Sequence, residues 1–116
     1  KKAIQNGLTP NSLRDYIVTV SQCQAVIGNE GGAINIAKGL SKPTFAIFSP
    51  IINPYGWHTE VKNKIMAVHL ADYFPEVIDF KNKNIIKKIG RIKTLYLKLE
   101  PKLFKQKWIG FLKELK

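Results

Sequence analysis

The sequence predicts an α/β fold: a parallel sheet closed by two C-terminal amphipathic helices. Three observations predict it. The short apolar runs QAVIG and PTFAIF flank a segment with helical periodicity, the order of a strand, helix and strand crossover unit. Both runs are continuously apolar, as expected of strands covered on both faces. The last third of the chain repeats apolar residues at helical spacing with lysines between them. With 116 residues and 45% hydrophobic content, the chain supports one globular unit with a modest core.

The elements follow in order. In TPNSLRDYIVTVSQ, Leu13, Tyr16, Ile17 and Val20 share a helical face, and Asn11 or Ser12 stands where a side chain can accept from the first free amides. This predicts a helix over about 11–22. QAVIG reads as a first buried strand. GGAINIAKGL resumes the helical period with Ile34, Ala37 and Leu40, and Gly39 with Pro43 is expected to close it. PTFAIF reads as a second buried strand and IMAVHL as a third. Between them runs a long loop rich in Pro, Gly and aromatics, SPIINPYGWHTEVKNK, of the kind on which sites are built. ADYFPEVIDF reads as an extended or turn segment leaving the sheet.

Residues 80–116 differ in kind from residues 1–79. Ile85, Ile89, Ile92, Tyr96 and Leu99 form one helical stripe, which Pro101 interrupts. Phe104, Trp108, Phe111 and Leu115 form a second. Such stripes are expected to dock on the sheet or on another domain rather than on lipid. The charge divides at the same place: seven Lys/Arg against six Asp/Glu up to Asp79, then twelve against two, within a net charge of +11. A nucleic-acid footprint, a face resting on an anionic membrane and the solvated outside of a helix pair all fit this balance. Arg14 and Arg91 are the only arginines, whereas phosphate and base readers favour the arginine fork. No aromatic and basic interleaving of the single-strand-binding kind lies on a strand face, so no nucleic-acid partner is expected.

Cys23 is the only cysteine, and with His58 and His69 scattered there is no zinc-type ligand cluster, so we expect no metal and no cofactor. No apolar run approaches the roughly 18–20 residues of a membrane span, and no apolar signal region opens the chain. The expected location is cytoplasmic, with peripheral contact at the inner face of the plasma membrane left open. A chain that starts on Lys1 within about ten residues of a helix is expected to begin inside a longer protein.

The turn between the first strand and its helix carries the chemistry. In a parallel sheet this turn lies at the carboxyl end of the strand, where the free amides and positive dipole end of the helix favour an anion. Gly31 and Gly32 have no side chain to hold off a phosphate oxygen. The spacing is neither the dinucleotide fingerprint nor a P-loop, and a Gly-Gly turn also arises from backbone geometry alone.

The span from Leu13 to Phe74 resembles the C-terminal domain of the lipopolysaccharide heptosyltransferase family, glycosyltransferase family 9. The resemblance rests on Asn29-Glu30-Gly31-Gly32-Ala33-Ile34-Asn35, then Ser41-Lys42-Pro43-Thr44, then Ser49-Pro50, in register with the family's Asn-Asp-Ser/Thr-Gly-x-x-His, Gly-Lys-Pro-Thr and Gly-Pro. The tail LYLKLEPKLFKQKWIGFL is similar to the closing helices of some members. The resemblance implies a Rossmann-like sheet, the C-terminal half of a GT-B glycosyltransferase. Residues 1–79 would be the donor-binding domain, truncated at its start, and 80–116 a helical segment packed on it or on a missing N-terminal domain.

The resemblance further implies transfer of a sugar, typically heptose from an ADP-sugar, to a hydroxyl on a lipid-linked saccharide acceptor. Asn29, Glu30, Gly31, Gly32, Asn35 and Ser49 are the implied donor-binding residues. Asn35 stands where the family has histidine, so it offers hydrogen bonds but no cation, and Glu30 is one methylene longer than the usual aspartate. Because a carboxylate repels phosphate, Glu30 is expected to cap the helix or hold sugar hydroxyls. The catalytic base and the phosphate-binding lysine are expected upstream of Lys1, so this part alone is not expected to turn over. Two other readings share the residues: a nucleotide or phosphate-binding module without transferase activity, and a basic nucleic-acid-binding domain.

The remaining conspicuous residues have plainer readings. Trp57 is expected to pin its loop, with His58 beside it in the same loop. His69 is expected at a strand end with a satisfied ring nitrogen, Ser49 at a strand end near the cleft, and Cys23 as a small core residue.

Overall fold

The structure, a computed structural model, describes residues 7–53, 60–61, 64–75 and 92–115. The order is α1 (Leu13–Ser21), β1 (Val26–Asn29), α2 (Gly32–Gly39), β2 (Thr44–Ile47), β3 (Ile65–Val68), a 3-10 turn (Leu70–Asp72), α3 (Ile92–Lys98), a second 3-10 turn (Pro101–Phe104) and α4 (Lys105–Glu114). The three strands form a parallel sheet in the order β1-β2-β3, with Val26 opposite Thr44 and Thr44 opposite Ile65. The fold class is therefore α/β.

Ser12 is the residue that starts α1: its hydroxyl accepts from the Asp15 amide at 3.1 Å. The helix ends at Ser21, within a residue or two of the expected span. α2 ends at Gly39, but the left-handed residue that closes it is Ser41, at φ 57°. The Ser41 amide donates to Lys38 O at 2.9 Å and the Lys42 amide to Ala37 O at 2.9 Å, a Schellman closure. Gly39 thus does not perform the closing role expected of it. The turn is set two residues later, where the 6→1 and 5→2 bonds can both form.

β2 is the centre strand and is buried on both faces. Its alternating side chains sort the core into two clusters. On one face Phe45, Met66, Val68 and Leu70 meet Leu99 and Phe111, with Phe104, Trp108 and Leu115 packed against them. On the other, Ala46, Phe48 and Ala67 meet Ile34 of α2. The stripe Phe104, Trp108, Phe111 and Leu115 therefore docks on the sheet. Of the preceding stripe, Leu99 is buried and Tyr96 half-buried, while Ile85 and Ile89 lie outside the described residues.

β1 departs from the expectation of a strand covered on both faces. Ile27 is 52% exposed. The apolar run correctly marks a strand, but β1 is an edge strand with β2 on one side, and Ile27 sits beyond the cover that α4 gives Phe45. The opposite edge is closed. The Ile65 amide donates to Val61 O at 2.8 Å and accepts the Val61 amide on its own carbonyl at 3.0 Å. One residue pair further on, Glu60 Oε1 accepts from the Ala67 amide at 3.0 Å and Lys107 Nζ donates to the Ala67 carbonyl at 2.8 Å. Two side chains thus occupy the positions of a neighbouring strand's backbone.

Candidate functional site

The β1–α2 connection is built by a short sequence of backbone bonds. The Glu30 amide continues the ladder by donating to Ile47 O at 2.9 Å, so it is consumed inside the fold. Gly31 follows at φ 158°, ψ −168°, a region that side chains other than glycine's rarely enter. Its carbonyl accepts from the Asn35 amide at 3.1 Å and thereby starts α2. Gly31 is the N-cap and no side chain caps the helix. Among the described residues, nothing accepts from the Gly31, Gly32 or Ala33 amides. They are orphan donors at the positive end of the helix.

Glycine has different reasons at the two positions. Gly31 is required by its backbone angles. A Cβ placed on either Gly31 or Gly32 meets nothing within 4 Å. The space on the Cβ side of both residues is open, and at Gly32 the fold itself does not demand glycine. Such an arrangement can donate several N–H groups to one anion approaching along the axis of α2.

Asn29, Glu30, Gly31 and Gly32 thus form the β1–α2 connection and its two ends, Asn35 follows in the first turn of α2, and Asn29, Gly32 and Asn35 are exposed. Ser49 leaves β2 two residues past Ile47, the partner of Asn29, so it lies at the same carboxyl edge of the sheet, half-buried. Glu30 is not a helix cap, since no side-chain hydrogen bond caps α2. Its carboxylate instead acts on Lys38: burial pulls the ammonium of Lys38 below its ordinary value, and the field of Glu30 partly restores it. That cation, two turns into α2, escaped the sequence reading, and the i to i+8 spacing from Glu30 was its one signal.

His69 forms the far wall of this edge. It is 2% exposed and sits just past β3. Nδ1 accepts from the Ala71 amide at 2.9 Å, which puts the proton on Nε2, and Nε2 donates to Ile52 O at 2.9 Å. Asp72 accepts from the His69 amide at 3.1 Å and completes a capping box. Burial holds the imidazole below its ordinary value, against the backbone bonds of Ile52 and Ser49 and the charge of Asp72. Both ring nitrogens are engaged, as the satisfied reading requires, and His69 joins the loop after β2 to the turn after β3. The His-x-x-Asp spacing was the readable sign of this box. Trp57 and His58 lie outside the described residues. Cys23 is half-buried rather than in the core, and its thiol donates to Thr19 O at 3.4 Å.

An apolar groove of about 430 Å³ lies elsewhere, between β1, β2 and α4, lined by Ile27, Phe45, Ile47, Pro101, Phe104 and Trp108 with Lys102 and Lys105 at its margin. None of the six predicted donor-binding residues lines it. Among the described residues no group of three His, Cys, Asp or Glu side chains is placed to hold a metal ion, and no helix is long and apolar enough to cross a membrane. Comparison of the chain with protein-family models, with curated proteins and with solved structures gave no match.

Proposed function

We propose that the β1–α2 turn binds the diphosphate of a nucleotide sugar, and that the chain is the donor-binding half of a GT-B glycosyltransferase similar to family 9. The observation that carries this reading is the set of orphan amides of Gly31, Gly32 and Ala33 at the carboxyl edge of a parallel strand, in a turn where a Cβ on Gly31 or Gly32 would meet nothing within 4 Å. In this reading those amides donate to the phosphate oxygens, and the leaving diphosphate gains its stabilisation there as the glycosidic bond breaks. Asn35 supplies an amide to a phosphate or sugar hydroxyl, Glu30 accepts from sugar hydroxyls, and Asn29 and Ser49 border the site. The donor is an ADP-sugar, with heptose the expected sugar, and the acceptor a lipid-linked saccharide. An N-terminal Rossmann-like domain supplies the base that takes the acceptor proton. The basic tail suits work beside an anionic bilayer surface, where each basic residue contributes about 1 kcal/mol.

Titration calorimetry with ADP and ADP-heptose tests the turn. Binding is expected for the native chain and strong weakening for Gly32→Asp, which sets a carboxylate before the amides without crowding the fold. Equal affinity in both proteins would falsify the assignment. A module without transferase activity would use the same turn, and turnover of ADP-heptose by the chain together with its N-terminal domain separates the two.

A further inference from the structure

His69 is a buried titratable group that the nucleotide-sugar reading does not use, and its two ring nitrogens hold backbone from different parts of the carboxyl edge. Nδ1 accepts from the Ala71 amide at 2.9 Å on one side, and Nε2 donates to Ile52 O at 2.9 Å on the other. These partners fix the roles of both nitrogens. An amide N–H only donates and a carbonyl only accepts, so the pocket is made for the neutral ring with its proton on Nε2. A second proton would sit on Nδ1 and set one N–H against another. The imidazolium is therefore excluded from this orientation, and the ring has to turn to find an acceptor for its new donor.

The two sides do not depend on the ring equally. Toward β3, Leu70 is 0% exposed in the core and its carbonyl accepts from the Tyr73 and Phe74 amides at 3.1 and 2.9 Å, so the Leu70–Asp72 turn keeps its own anchors. Toward β2, Pro50 is buried, but Ile52 is only half-buried and its amide bond to Ser49 O, at 3.1 Å, lies within the turn itself. Pro50 is thus the pivot and Ile52 the end that can swing. The groups around the ring come from four elements. Phe48, at the end of β2, sets its ring 6.4 Å away, and the loop supplies the carbonyls of Ile52 and Ser49. The 3-10 turn supplies Asp72, whose charge favours the imidazolium; Lys107 of α4 lies 3.9 Å from that carboxylate and also meets Glu60 at 3.4 Å, which spends part of the charge elsewhere. We propose that His69 is a proton-operated catch: a proton taken from solvent at Nδ1 turns the ring off the Ala71 amide, parts Nε2 from Ile52 O and frees the turn from Ser49 to Ile52 while the sheet stays folded. As pH rises the proton returns to water and the catch closes. This inference stands apart from the nucleotide-sugar reading, since it uses neither Gly31 nor Gly32.

NMR on the chain from about pH 7.5 to about pH 4.5 tests it, following the His69 ring nitrogens together with the hydrogen-exchange protection of three amides, each corrected for the intrinsic rate at that pH. The Ala71 and Ile52 amides report the catch. The Phe48 amide, which donates to Val68 O at 3.0 Å, reports the sheet. As His69 takes up its proton, protection at Ala71 and Ile52 is expected to fall by about tenfold or more while Phe48 keeps its own. In His69→Gln a side-chain amide can offer the same acceptor and donor without titrating, and the fall is expected to vanish. Unchanged protection at Ala71 and Ile52 across the titration of His69 overturns the proposal. So does loss of all three amides together, which is global unfolding, or the same fall in His69→Gln. Should that variant not fold, the contrast between Ala71 and Phe48 in the native chain decides by itself.

Discussion

Phe45 and Trp108 meet edge to face, with ring centroids 5.1 Å apart and planes at 83°. Phe45 is 1% exposed on the centre strand, and Trp108 comes from a helix more than sixty positions later in the chain. Phe111 joins the same ring from 5.4 Å and Phe104 from 6.1 Å. This cluster is what fixes α4 on the sheet, so its loss should be felt by the whole unit. Phe45→Ala is expected to cost about 3–5 kcal/mol, a large part of the total stability of a domain this size. A cycle of Phe45→Leu and Trp108→Leu should show a coupling of about 0.5–1.5 kcal/mol beyond the loss of area. Urea denaturation of the four proteins measures it, and additive losses would show that the edge-to-face geometry contributes nothing.

Ser41 holds a left-handed backbone at φ 57° to close α2. That conformation costs a residue with a Cβ about 1–2 kcal/mol relative to glycine. Ser41→Gly should therefore stabilise the chain by about 1 kcal/mol, offset in part by the freer unfolded state. The check is the midpoint of urea unfolding, which should rise with no change in slope.

Thr44 is fully buried, and its Oγ1 has no hydrogen-bond partner among the described residues. An unpaired hydroxyl inside a protein costs about 1–3 kcal/mol. Thr44→Val keeps the shape and removes the hydroxyl. We expect it to stabilise by about 1 kcal/mol and to raise the thermal midpoint by roughly 4 °C. A lower midpoint would mean that the hydroxyl has a partner in the folded protein.

His69 gives the fold a pH dependence with a definite sign. Burial lowers its folded pKa below the ordinary 6.5, so the unfolded chain takes up a proton that the folded one refuses. Stability that depends on neutral His69 is complete above 6.5 and declines as pH falls from 6.5 toward the folded value. Asp72 and the backbone of Ser49 and Ile52 face the ring and temper the effect. Chemical denaturation at pH 5.5 and 7.5 should show the native chain losing stability at the lower pH, and His69→Gln losing less of it. An equal loss in both would place the effect on other groups.

The sequence announced faces better than neighbours. Ser12, the unbroken apolar run of β2 and the stripe Phe104, Trp108, Phe111 and Leu115 were all legible, because caps and periodicity are local and each names its own element. The Gly31-Gly32 turn was legible for the same reason. Ile27 was not, since an apolar residue looks alike on a central strand and on an edge; only the strand order distinguishes them. The clamp on Ala67 was equally hidden, because Glu60 and Lys107 are 47 positions apart and meet across the edge of β3. Ser41 was misread in favour of Gly39, where the glycine suggested the closure and the hydrogen bonds placed it elsewhere.

The bridge made by His69 has one further consequence. Its imidazole staples the segment leaving β2 to the segment leaving β3, so the rear of the carboxyl edge is already immobile before any visitor arrives there. The freedom lost in ordering that rear wall belongs to folding and is not subtracted again at any association there.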